Sequence, residues 1–112
     1  MVIENKVELK DLENSYNNIH SDFIKFVIDL EKEVIAVGKE MHRDLEIELY
    51  DNGSSETCMY GGNLYWNGQI DWQSHSNMKR NREKGLARMG RVLDDEMIIR
   101  KLTDIMNRYI WR

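Results

Sequence analysis

Residues 23 to 30 alternate with a period of two. Ile24, Phe26, Ile28 and Leu30 fall on one side, and Lys25, Val27 and Asp29 on the other, as in a β-strand with one face turned to a core. A slip of one residue would turn that whole apolar set to the opposite face, so such a strand dictates its partners. Val34 to Val37 reads as the return strand. A two-residue loop at Glu31-Lys32 sets Ile28 opposite Ile35 and Phe26 opposite Val37.

From Gly38 to Tyr50 two readings compete. A helix aligns Met41, Leu45 and Leu49 but leaves Ile47 and Tyr50 poorly placed. A strand puts Met41, Leu45, Ile47 and Leu49 on one side, spoiled only by Arg43, and Glu40, His42, Asp44, Glu46 and Glu48 on the other. The Asn52-Gly53 pair that follows is the preferred two-residue hairpin turn, because both positions need positive φ. Turn chemistry therefore favours the strand, and pairs Leu45 with Tyr60 and Met41 with Leu64. A three-residue loop at Trp66-Asn67-Gly68, with Gly68 left-handed in a bulge, then pairs Leu64 with Ile70 and turns Trp72 to the same side.

Helices flank this sheet. Leu9, Leu12, Tyr16 and Ile19 recur at helical spacing over residues 8 to 20. Asp94 or Asp95 is placed to cap a second helix, in which Ile98, Leu102, Ile105, Met106 and Tyr109 form one apolar stripe. The expected fold is α+β: a four-stranded antiparallel meander, with an N-terminal helix and a C-terminal helix packed on one face and the other face polar. At 112 residues, 41% hydrophobic and 32% charged, the chain suits a single globular domain spanning 1–112.

The run from Phe23 to Glu31 continues through Ile35-Ala36-Val37-Gly38, Glu40-Met41-His42-Arg43-Asp44-Leu45-Glu46 and Asp51-Asn52-Gly53-Ser54 to Tyr60-Gly61-Gly62-Asn63. That order resembles a family of short prokaryotic proteins known only as a domain of unknown function. The family pattern is a Gly, then Glu-x-His-x-Asp-x-Glu, an Asn/Asp-Gly-Ser turn and an aromatic-Gly-x-Asn segment. The chain departs from it between Lys79 and Arg91, where the family carries an Arg-Pro and a Gly-Asn-Arg-Ser stretch. The resemblance implies one small cytosolic domain and no particular activity.

Charge and cysteine usage narrow the function classes. A single cysteine, Cys58, excludes an internal disulfide and a cluster built from several thiolates, and its register predicts a buried, unreactive thiol. No apolar stretch approaches the length of a membrane span, and residues 1 to 6 lack a secretory start, so no membrane partner and a cytoplasmic location are expected. Net charge is −4, yet Lys79 to Arg91 holds six basic residues against one acidic, a local +5 on a body of −9. That imbalance predicts a non-enzymatic interaction or binding protein, a homo-oligomer in which the basic loop docks on the acidic strand face of a second copy. An alternative is anion or nucleic-acid binding through Lys79, Arg80, Arg82, Lys84 and Arg88, although no aromatic residue interleaves them to stack on a base.

A third class, a small-ligand or metal-dependent enzyme or sensor, uses the polar sheet face. The predicted register sets His42 beside Asn63 and Asn63 beside Asp71, with Asp44 next to Gly61 and His75 on the neighbouring strand. His42, Asp44, Asn63, Asp71 and His75 are thus candidate ligand-binding residues around a hollow at Gly61, weighed against a plainly solvated face. His42 and Asp44 would stand roughly 7 Å apart along a strand, which counts against a shared metal. No cofactor is expected, and no catalytic triad context is present.

Overall fold

The computed structural model describes residues 1–74, 76–78, 80 and 90–112. The elements placed among the described residues run, in chain order, β1 (Val2–Ile3), β2 (Val7–Glu8), α1 (Leu9–Tyr16), β3 (Phe23–Asp29), β4 (Val34–Val37), α2 (His42–Asp51), a single 3-10 turn (Glu56–Cys58), β5 (Met59–Tyr65), β6 (Ile70–Asp71), α3 (Glu96–Tyr109) and β7 (Ile110–Trp111). Ser76, Asn77, Met78 and Arg80 are also helical. The architecture is α+β, as expected. Among these elements β1-β4-β3-β5-β6 form one antiparallel sheet, while β2 and β7 pair in parallel.

The first hairpin keeps the expected register, but its loop is residues 30–33 and not a two-residue turn: Glu33 takes φ 57° and its amide donates to the Asp29 carbonyl at 2.8 Å. Ile28 pairs with Ile35 and Phe26 with Val37, and Asp29 closes the loop by accepting from the amides of Glu31 at 2.9 Å and Lys32 at 3.0 Å. An Asp side chain that satisfies two loop amides acts as a local turn former. The last hairpin is also as predicted: Leu64 pairs with Ile70, and Gly68 adopts φ 94°.

Residues 42 to 51 are helical, which corrects the strand expected there and removes the meander. The apolar positions that matter are Leu45 and Leu49, one helical turn apart and both buried, with His42 one turn earlier. Ile47 and Tyr50, whose apolar character favoured a strand, stay 48% and 61% exposed. The Asn52-Gly53 pair ends the helix instead of turning a hairpin. Gly53 takes φ 93°, its amide donates to the Tyr50 carbonyl at 2.9 Å, and the Ser54 amide reaches back to the Leu49 carbonyl at 3.0 Å. These two bonds are the Schellman closure of a helix, which needs a left-handed residue at the same place as a hairpin does.

With α2 helical, the connection from β4 to β5 crosses over β3, so β5 joins the far side of β3 in antiparallel pairing. The sheet is consequently covered on both faces. Ile24, Phe26, Ile28, Ile35, Val37 and Leu64 meet Leu9 and Leu12 of α1 and Leu102, Ile105 and Met106 of α3. On the opposite face, Val27, Ala36 and Met59 meet Leu45 and Leu49 of α2. Asp95 caps α3 by accepting from the amides of Met97 and Ile98, and Trp72 packs edge-on against Phe26 with ring centroids 5.4 Å apart.

Candidate ligand-binding site

The face under α2 is closed at its middle and open at one end. Beyond Val27 the next sheet positions are Lys25 and Asn63, direct register partners on β3 and β5. They are polar because α2 begins only at His42 and does not extend over them. The resulting cleft has a volume of about 900 Å³. Its walls are Lys25 and Asn63 from the sheet, Met41, His42, Arg43 and Glu46 from the start of α2, and Glu56 from the turn before β5. Gln73, Ser74, Ser76, Met78, Arg80 and Arg91 close the remaining side.

Glycines let these walls come together. At Gly61 a Cβ would stand 2.5 Å from Ser74 Oγ and 3.2 Å from His42 Cδ2, so only a residue without a side chain admits both. At Gly62 it would stand 2.6 Å from the Asp71 carbonyl oxygen and 2.7 Å from Phe26 Cζ. The Gly61-Gly62 pair is thus a site of close approach. It is not the open hollow expected from the sequence, because Ser74 and His42 occupy that space.

Hydrogen bonds fix the same residues. The His42 Nε2–H donates to the Gly62 carbonyl at 2.7 Å, which settles where the ring proton sits in the neutral form. Asn77 is fully buried and pairs with Gly61 as a strand would: its Oδ1 accepts from the Gly61 amide at 3.0 Å and its Nδ2 donates to the Gly61 carbonyl at 2.9 Å. That Nδ2 also approaches the carbonyls of Trp72 at 3.2 Å and Arg91 at 3.3 Å, tying the cleft wall to β5. Ser76 Oγ donates to Glu46 Oε1 at 2.6 Å, and the Ser76 amide donates to Ser74 Oγ at 3.1 Å. Arg80 is only 3% exposed and donates from Nη1 to the Glu56 carbonyl.

The cleft unites two of the predicted ligand residues by a route other than the one foreseen. His42 and Asn63 both line it, but His42 arrives on a helix and is not a cross-strand neighbour. Asn63 does pair with Asp71 as expected, yet the Asp71 side chain is not among the cleft walls. Asp44 is exposed on α2 and is not among the cleft walls, a correction that follows from the helix. Of the basic candidates, Arg80 is in the wall; His75, Lys79, Arg82, Lys84 and Arg88 lie outside the described residues. Among the described residues no group of three or more His, Cys, Asp and Glu converges on a metal position.

Sequence reasoning missed Lys25, Arg43, Ser74, Ser76 and Asn77, and read Glu46 only as part of a polar strand face and Arg91 only as the end of the basic segment. A usable signal was present in the glycine pair, since glycine inside a strand marks close backbone approach. Cys58 is also corrected: it is half-buried in the turn before β5, not in the core. Its Sγ–H donates to Glu31 Oε2 at 3.0 Å. That hydrogen bond, followed by partial burial, raises the thiol pKa above its ordinary value, so the thiolate is disfavoured.

No helix among the described residues is long and apolar enough to cross a membrane. No curated protein and no solved structure matches the chain. The family model described as Protein of unknown function (DUF5674) matches residues 1–109, and the chain belongs to that family.

Proposed function

We propose that the protein binds a small anion in the cleft beside α2. The observation that carries this reading is the charge of the described walls: Lys25, Arg43, Arg80 and Arg91 face the space, against Glu46 and Glu56. The uncapped first turn of α2 adds its own partial positive charge at the same place. A volume of about 900 Å³ falls within the range of small-molecule sites, roughly 300–1,000 Å³. Arg80, buried in the wall and bonded to the Glu56 carbonyl, adds positive charge behind the cleft and offers little surface to a nucleic-acid backbone. A thermal-shift series with phosphate, sulfate, citrate and nucleoside phosphates at low salt tests the reading. Stabilisation that disappears in the Lys25→Ala/Arg91→Ala double variant is the expected result, and no stabilisation by any of these anions refutes it.

Self-association is a second reading, and one observation favours it. Ile47 and Tyr50, three residues apart on the outer side of α2, are 48% and 61% exposed, an apolar pair suited to the same pair of a second copy. Because residues 42 to 51 are helical, they present no acidic strand face to receive a basic loop, and apolar contact replaces charge as the driving term. Sedimentation should report a dimer that Ile47→Glu converts to monomer; a wild-type monomer at high concentration removes this reading.

A further inference from the structure

We infer that the anion bound in the cleft is a phosphate monoester that also carries hydroxyl groups, a sugar phosphate in size and chemistry. This rests on the anion reading above and adds the identity of the uncharged part. The first observation is Asn63, whose Oδ1 is buried in the cleft wall with no hydrogen-bond partner. A buried amide oxygen left unmet is a standing cost that native structures seldom carry without a use. Turning the amide about its last side-chain torsion toward the cleft breaks no bond to that oxygen, and it brings an acceptor to a ligand hydroxyl.

The second observation is Glu46. Ser76 holds its Oε1 at 2.6 Å, which fixes the carboxylate in the wall and leaves Oε2 as another acceptor for a ligand hydroxyl. Acceptors of this kind repel a bare anion but suit a polyol. The third is the sign of the described walls, where Lys25, Arg43, Arg80 and Arg91 outnumber Glu46 and Glu56, as suits a phosphate monoester, which carries about −1.5 to −2 at neutral pH. Among the described walls no Phe, Tyr or Trp offers a stacking surface, and the one imidazole, His42, is tied by its Nε2 to the Gly62 carbonyl, so the walls favour a sugar over a nucleobase.

Calorimetric titration of the full chain at low salt tests this with inorganic phosphate, glycerol 3-phosphate, ribose 5-phosphate, glucose 6-phosphate and free ribose. At least one hydroxylated ester should bind tenfold or more tighter than inorganic phosphate, and ribose alone should give no heat. Asn63→Ala should bring that ester to within about threefold of phosphate while leaving phosphate itself unchanged. The same variant should melt no lower than wild type, since it removes an unpaired oxygen. Equal affinity of phosphate and all three esters, or a preference that survives Asn63→Ala, overturns the sugar phosphate while sparing the anion site. No heat with any of the charged probes overturns both.

Discussion

The two faces of the sheet are built to different standards. Beneath α1 and α3, large side chains from every long strand interlock, and Phe26, Ile28, Ile35, Leu64, Leu102 and Met106 are all fully buried. Beneath α2 only Val27, Ala36 and Met59 receive Leu45 and Leu49, after which the covering helix stops and the cleft begins. The first face supplies most of the apolar burial that holds the fold; the second trades burial for a wall of polar groups. A contrast of this kind separates scaffold from site more clearly than residue type alone, because His42, Asn77 and Arg80 are buried too.

Substitutions on each side probe that contrast. The largest effect is expected at Phe26→Ala, which opens a cavity in the packed face and should cost about 3–5 kcal/mol in urea denaturation. Leu45→Ala cuts the smaller cluster and should cost about 2–4 kcal/mol. It should also weaken anion binding, since α2 carries His42 and Arg43 into the cleft. Gly61→Ala forces a methyl against Ser74, whose Oγ lies 2.5 Å from it; about 1–3 kcal/mol is expected from overpacking, and ligand-induced stabilisation should be lost. A cost at Gly61 below that of an ordinary surface change would show that the cleft wall gives way easily.

The smallest effect is chemical. Glu31 holds the Cys58 thiol protonated above its ordinary range, so alkylation at mildly alkaline pH should run slower than for a free thiol. Glu31→Gln removes the charge and lowers that pKa, and the rate should rise. Raising the pH through the shifted value should restore reactivity in the wild type, because only the thiolate reacts. Rates identical in the two proteins would mean that Glu31 does not govern the thiol.

Much of the packed face was legible. Alternation of apolar residues along the chain gave three pairings that hold: Phe26 with Val37, Ile28 with Ile35, and Leu64 with Ile70. The apolar register carried them, and the turn rule supported Gly68 (φ 94°) but not a two-residue loop at Glu31-Lys32, where the loop is residues 30–33. The second face was misread because two of its signals are ambiguous by physics. Asn-Gly supplies a positive φ that serves a hairpin and a Schellman cap equally. Exposed Ile47 and Tyr50 mimic a strand period although no core receives them. Val27, Ala36 and Met59 on the supposedly polar side did signal a second covering layer, since a solvated sheet face has little reason to carry them. The cleft itself was partly visible through His42, Asn63 and Arg80; the rest depends on where Gln73, Ser74, Ser76, Asn77 and Met78 come to lie against β5 and α2, which no spacing rule encodes.

The short length of β6 gives Asn77 a further role. Pairing along that side of β5 covers Asn63 and Leu64, and the next open amide and carbonyl, at Gly61, are both taken up by the Asn77 side chain. An unoccupied stretch of strand edge is a template for another extended chain. Asn77 therefore works as a plug against intermolecular strand addition, and a chain lacking it should form fibrillar aggregates during refolding at concentrations where the native protein stays clear.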